Sequence, residues 1–171
     1  MRKLLIVIDM QKDFIDGALG TPEAAAVVGK VREKMLSYPT EDIYATMDTH
    51  GEDYLTTQEG RLLPVEHCIR GTEGWALHPE LAPLVPGEHI FEKPCFGSVR
   101  LAEAIAALPD VGEIELVGVC TDICVVSNTL LLKAFLPEVK LRADASCCAG
   151  VTPEKHLAAL ETLRSCQVEV V

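Results

Sequence analysis

The feature that most constrains this chain is an alternation of short, β-rich apolar runs with stretches of helical character. The strand-like runs are Leu4 to Ile8, Ile43 to Thr46, His89 to Glu92, Ile114 to Val119, Val139 to Ala143 and Val168 to Val171. Helical patterns cover Ala24 to Leu36, Ser98 to Leu108, Ile123 to Phe135 and Thr152 to Arg164, the last with Thr152 as N-cap and Pro153 at the first helical position. Residues 48–87 read as a long irregular excursion rich in Gly, Pro and charge. Strands separated by helices require parallel pairing with right-handed crossovers. The expectation is therefore an α/β fold formed by residues 1–171 as one domain.

Composition agrees. Apolar residues make up 49% of the 171 positions and aromatics only 5%, so the core is built from Val, Leu, Ile and Ala. That suits a sheet covered by helices on both faces. The formal charge of −11 repels phosphate backbones and anionic lipid, which argues against nucleic acid or membrane as partners. The apolar start, Leu4 to Ile8, is broken at once by Asp9, Lys12, Asp13 and Asp16, so it reads as a buried strand and the expected location is the cytoplasm. The seven cysteines are odd in number and show no C-x-x-C spacing, so most are expected as free thiols.

In open parallel sheets, ligands bind beyond the carboxyl ends of the strands. Asp9, Asp48 and Lys93 end successive strands, and Cys124 follows the fourth where a helix begins. All four fall on one edge. A helix N-terminus offers free N–H groups and a positive potential, which lower a thiol pKa and can hold an oxyanion. Asp9 is placed to accept the thiol proton, and Lys93 to keep a carboxylate ionised and favour a thiolate. Plainer readings exist for each residue taken alone: a packing thiol, a turn-capping carboxylate, a solvated ammonium.

Val7-Ile8-Asp9-Met10-Gln11-Lys12-Asp13-Phe14, Glu92-Lys93-Pro94-Cys95-Phe96-Gly97-Ser98 and Gly118-Val119-Cys120-Thr121-Asp122-Ile123-Cys124-Val125 together resemble the three signatures of the isochorismatase-like cysteine hydrolases, of which the nicotinamidases are the best-known members. The likeness spans essentially the whole chain, in order. It implies a three-layer α/β/α Rossmann-like sandwich with a parallel sheet of about six strands. It implies Cys124 as nucleophile, Asp9 as proton carrier and Lys93 as third triad member. A cis Val119–Cys120 peptide is implied too, with the N–H groups of Cys120 and Cys124 as oxyanion hole. The implied reaction is hydrolysis of a small amide, nicotinamide first, through a Cys thioester.

Asp48, His50 and His67 match the family's metal-binding pattern, in which the substrate's pyridine nitrogen completes the shell. Two imidazoles and a carboxylate with open positions suit zinc, iron or manganese. Glu59 is the expected fourth ligand, with Glu52 and Asp53 as competitors; Asp-x-His can also be a plain hydrogen-bonded turn. Phe14 matches a ring-clamping position and Phe96 is a further candidate for the substrate pocket, although either residue can equally be core. Leu62-Leu63-Pro64 lacks the aromatic that often precedes the second imidazole, which keeps open an N-carbamoyl or other small-amide substrate. A thiol-rich redox or metal-binding protein without turnover is the remaining alternative. Trp75 is expected in packing or subunit contact, His78 and His89 at the surface or in packing, and His156 in solvent. Cys147 and Cys148 are expected on the site edge. Family members often form homo-oligomers, and the same is expected here.

Overall fold

The computed structural model describes residues 1–171. Six parallel strands form one sheet: β1 (Arg2–Ile8), β2 (Ile43–Asp48), β3 (Ile90–Lys93), β4 (Val111–Val119), β5 (Lys140–Ala149) and β6 (Glu169–Val170), in the order β3-β2-β1-β4-β5-β6. The order reverses between β1 and β4, the doubly-wound arrangement whose switch point opens a crevice at the strands' carboxyl ends.

Side chains of β1 alternate between two cores. Leu4, Ile6 and Ile8 join Leu101 and Ile105 of α4 (Val99–Ala106), Leu132 of α5 (Val126–Phe135) and Leu163 of α6 (Pro153–Ser165) on one face. Leu5 and Val7 join Val27, Val28, Val31 and Met35 of α2 (Pro22–Leu36) on the other. A strand buried on both faces has no polar side to show, which is why β1 reads as an unbroken apolar run. The expected three-layer sandwich is thus present. No helix is long and apolar enough to cross a membrane.

Two local features position the site. Gly118 has φ +120°, and a Cβ there would lie 2.2 Å from the Ile8 carbonyl oxygen, so only glycine lets β4 approach β1 this closely. Just beyond, the Val119–Cys120 peptide is cis.

Several boundaries differ from those read off the sequence. The 48–87 excursion is not wholly irregular: it holds α3 (Gln58–Leu62), capped by the Thr57 hydroxyl, which accepts from Gly60 N at 3.0 Å. A short α1 (Lys12–Ile15) follows Asp9. The segment before α5 is a wide π turn, Thr121–Val125, rather than the start of a regular helix. Strand β5 runs past Ala143 to Ala149, because Asp144 folds back onto its own chain: its Oδ1 accepts from Ser146 N at 2.9 Å and Ser146 Oγ at 2.8 Å. On the strand beyond that irregularity, Cys147 and Cys148 alternate into opposite cores.

Candidate active site

At the switch point, Asp9 follows β1 with a left-handed φ of 47° and is fully buried. Thr46 of β2 donates to its Oδ1 at 2.6 Å. Its Oδ2 lies 2.7 Å from the ammonium of Lys93, which ends β3 and is itself 1% exposed. That ammonium also stands 3.5 Å from Cys124 Sγ and 3.5 Å from Asp48 Oδ1, and donates to Cys95 O at 3.1 Å. The sulfur, carboxylate and ammonium that the sequence holds far apart therefore meet in one buried cluster.

The electrostatics correct one expectation. A helix end would lower the Cys124 thiol pKa, but burial outweighs any such pull. Burial pushes it well above the usual range, and the neighbouring Asp9 charge adds to this, against the opposing pull of Lys93. Burial likewise raises Asp9 despite the Lys93 ion pair. Both shifts run the same way, so a thiol that holds its proton faces a carboxylate of raised basicity, which suits proton transfer to Asp9 as attack begins. Cys120 is pushed up to about 12 by burial, with the Asp122 and Asp9 charges adding to it and no cation opposing.

The hydrogen bonds of the π turn leave two amides unpaired. The Cys120 carbonyl accepts from Ile123 N at 3.0 Å and Val125 N at 3.1 Å, passing over Cys124 N, and Cys120 N donates to no backbone acceptor.

A second cluster adjoins the first. One atom each from Asp48, His50, Glu59 and His67 lies within 4.8 Å of all the others. His50 Nε2 is 2.9 Å from Asp48 Oδ2 and 3.6 Å from Glu59 Oε1. His67 Nε2 is 3.5 Å from Asp48 Oδ2 and 3.6 Å from Glu59 Oε1. Ligands about 2.0–2.1 Å from a tetrahedral zinc stand about 3.3–3.4 Å from one another, and the four imidazole–carboxylate separations lie within about half an ångström of that spacing. His67 Nδ1 meets Val65 O at 2.8 Å, which leaves Nε2 as the ligating nitrogen. Among the candidates for fourth member it is Glu59 that α3 brings in, whereas Glu52 and Asp53 are exposed. Gly60 makes this possible, since a Cβ there would lie 2.0 Å from Tyr54 O.

Both clusters open on one cavity of about 300 Å³, lined among others by Phe14, Asp48, Glu59, His67, Phe96 and Cys124. Phe14 is half-buried and packs on His67 with ring centroids 5.5 Å apart. Phe96 is 40% exposed and is no core residue. Leu63, Ile123 and Val151 supply the aliphatic wall where no further aromatic stands.

Other expectations fare differently. Trp75 packs inside the chain, its indole donating to Thr49 Oγ1 at 2.9 Å. His89 stacks on Tyr44 at 4.1 Å. His156 is not solvated: it is half-buried, with Nδ1 2.7 Å from the hydroxyl of fully buried Thr121. Cys147 and Cys148 are buried and take no part in the cavity. Sequence reasoning missed Gln11, whose amide is bonded to Asp48 N, Asp48 O and Trp75 O at 2.7–2.8 Å. It also missed Thr46 and Asn128, which no motif marks as polar partners.

Comparison with known proteins now bears on the whole arrangement. The isochorismatase domain model matches residues 3–171. The chain belongs to the isochorismatase family. This isochorismatase-family chain is 30% identical over 175 residues to an isochorismatase family protein of Bacillus subtilis, covering 94% of this chain and 93% of that one. The crystal structure of a nicotinamidase/pyrazinamidase from Bacillus subtilis superposes with a TM-score of 0.85 at 28% identity, over 100% of both chains. That of a pyrazinamidase of Pyrococcus horikoshii in complex with zinc does so at 0.83 and 27%, covering 100% of this isochorismatase-family chain and 99% of the other.

Proposed function

We propose that this protein hydrolyses a small planar carboxamide, nicotinamide first, to the carboxylate and ammonia. The observation that carries the proposal is that Cys124 and three members of the Asp48–His50–Glu59–His67 group line the same cavity. A sulfur nucleophile alone fits any small amide. A metal-type cluster facing it across a cavity of this size fits an amide whose ring bears a donor atom. The N-carbamoyl alternative leaves the cluster without a task.

In this reading Asp9 takes the proton of Cys124 as sulfur bonds to the carboxamide carbon, and the carbonyl π electrons move to oxygen. The N–H groups of Cys120 and Cys124 stabilise that oxyanion. Lys93, 3.5 Å from the sulfur, stabilises negative charge on it. When the intermediate collapses, the C–N bond breaks and Asp9 delivers its proton to departing ammonia, leaving a thioester. Asp9 then accepts a proton from water as the water oxygen attacks. The C–S bond breaks, and the proton returns to sulfur. Phe14 and Phe96 flank the ring and hold the carboxamide in line. Asp48, His50, Glu59 and His67 would hold a zinc, iron or manganese ion, which when bound supplies a Lewis acid for a ring nitrogen. Assembly into a homo-oligomer and a cytoplasmic location belong to the same proposal.

The test is ammonia release over a panel of small amides by the wild type and Cys124→Ala. The variant removes one buried atom and is expected to fold normally while losing roughly 10⁴-fold or more in kcat. Retained turnover by the variant rules out the covalent route.

A further inference from the structure

One buried polar side chain beside the nucleophile is used by none of these steps. Asn128 stands one helical turn after Cys124 and is 1% exposed. Its Oδ1 accepts from Ser98 N at 2.8 Å, while its Nδ2 donates to Cys124 O at 2.8 Å and to Phe96 O at 3.0 Å. Asparagine is a poor choice for a helix interior, where its amide competes with the backbone. Here that amide is matched to three partners on two separate segments.

The second segment is the loop between β3 and α4. The backbone of residues 94–97 makes no hydrogen bond to other backbone groups. Two side chains hold it instead: Lys93 donates to Cys95 O, and Asn128 donates to Phe96 O. Phe96 is a wall of the cavity and Lys93 a member of the triad. The residue that fixes this loop therefore fixes the distance between the substrate wall and the turn that carries the sulfur.

We propose that Asn128 is a positioning residue that registers the Phe96 wall against Cys124 and so sets how tightly a ring amide is held in line with the sulfur. This rests on the amidohydrolase reading above. The informative variant is Asn128→Thr. A threonine hydroxyl can keep the bond to Cys124 O, as neighbouring Thr129 does to Val125 O at 2.7 Å, but it cannot also serve the loop. Asn128→Leu removes all three bonds.

For Asn128→Thr, KM for nicotinamide is expected to rise about tenfold with kcat within about threefold of wild type, the pattern of lost substrate positioning. Amide hydrogen exchange at Ser98, the loop amide whose N–H donates to Asn128 Oδ1, is expected to speed up about tenfold as the loop loosens. Asn128→Leu should add a fall in kcat. An unchanged KM in Asn128→Thr overturns the proposal, whatever happens to its melting temperature. If Asn128→Leu does not fold, Asn128→Thr decides alone. Should the wild type hydrolyse no amide in the panel, the functional reading fails separately. The exchange rates of Asn128→Thr then judge Asn128, and unchanged rates reject it.

Discussion

Asp48 has two carboxylate oxygens, and they serve different neighbours. Oδ1 faces the Lys93 ammonium at 3.5 Å, while Oδ2 faces His50 at 2.9 Å and His67 at 3.5 Å. Burial alone would raise its pKa, but hydrogen bonds to both imidazoles and the Lys93 charge hold it well below the usual carboxylate range. Asp48 thus belongs to both clusters, and its substitution would confuse their roles. Glu59 is the clean probe. Its ion-pair partners are the two imidazoles alone, and it forms none with Lys93. Glu59→Gln keeps the shape and drops the charge. The expected result is at least a tenfold rise in the zinc Kd, about 1.4 kcal/mol, read by competition with a chromophoric chelator. Unchanged zinc affinity would mean that Glu59 is no ligand.

Between elements, the tie that most concerns stability is that of α2 to the sheet. Lys34 reaches Glu115 of β4 at 3.1 Å and Asp144 of β5 at 2.8 Å, and Tyr38 donates to Glu115 at 2.6 Å. Glu115 is 3% exposed, so Lys34→Met strands a buried carboxylate and should cost about 3 kcal/mol, or roughly 6–12 °C in Tm. The sign of the pH dependence follows from Asp144. Burial opposes its ionisation, but Lys34 and Ser146 prevail and lower its pKa. A carboxyl depressed in the folded state stabilises above its unfolded value of about 3.9, and that contribution fades as pH falls through the folded value. Urea unfolding should therefore show the gap between wild type and Lys34→Met undiminished at pH 7 and narrowed near pH 3.5. An equal gap at both pH values would remove Asp144 from the account.

The same elements show what the sequence made legible. Helix α2 could be read because Ala24, Val27, Val28, Val31 and Met35 repeat at helical spacing, though its start at Pro22, capped by Thr21, lies two residues before the Ala24 read from the sequence. The meeting of Asp9, Lys93 and Cys124 was legible because each ends a strand or follows one. Helix α3 was not, because five residues with a central glycine carry no periodicity. Neither was the far half of β5, where polar Asp144 and Ser146 imitate a strand end. Asn128 stayed invisible for another reason: its loop partners lie about 30 positions away and are backbone atoms, which have no signature in a residue pattern.

At the scale of the whole molecule, the charge of −11 separates the two amidohydrolase readings. Nicotinamide is neutral, so the field around the protein neither attracts nor repels it. An N-carbamoyl amino acid carries a carboxylate and must approach against that field. Exposed charges are screened beyond about 10 Å at 0.1 M ionic strength and beyond about 3 Å at 1 M, so salt removes the repulsion without reaching the buried triad. For the favoured substrate, kcat/KM should change by less than about twofold between 0.02 and 0.5 M salt, both figures on the order of common buffer conditions. For an anionic amide it should climb several-fold across the same range. A preferred substrate whose kcat/KM climbs with salt would point to a charged amide and away from nicotinamide, even with Cys124, Asp9 and Lys93 in the roles proposed for them.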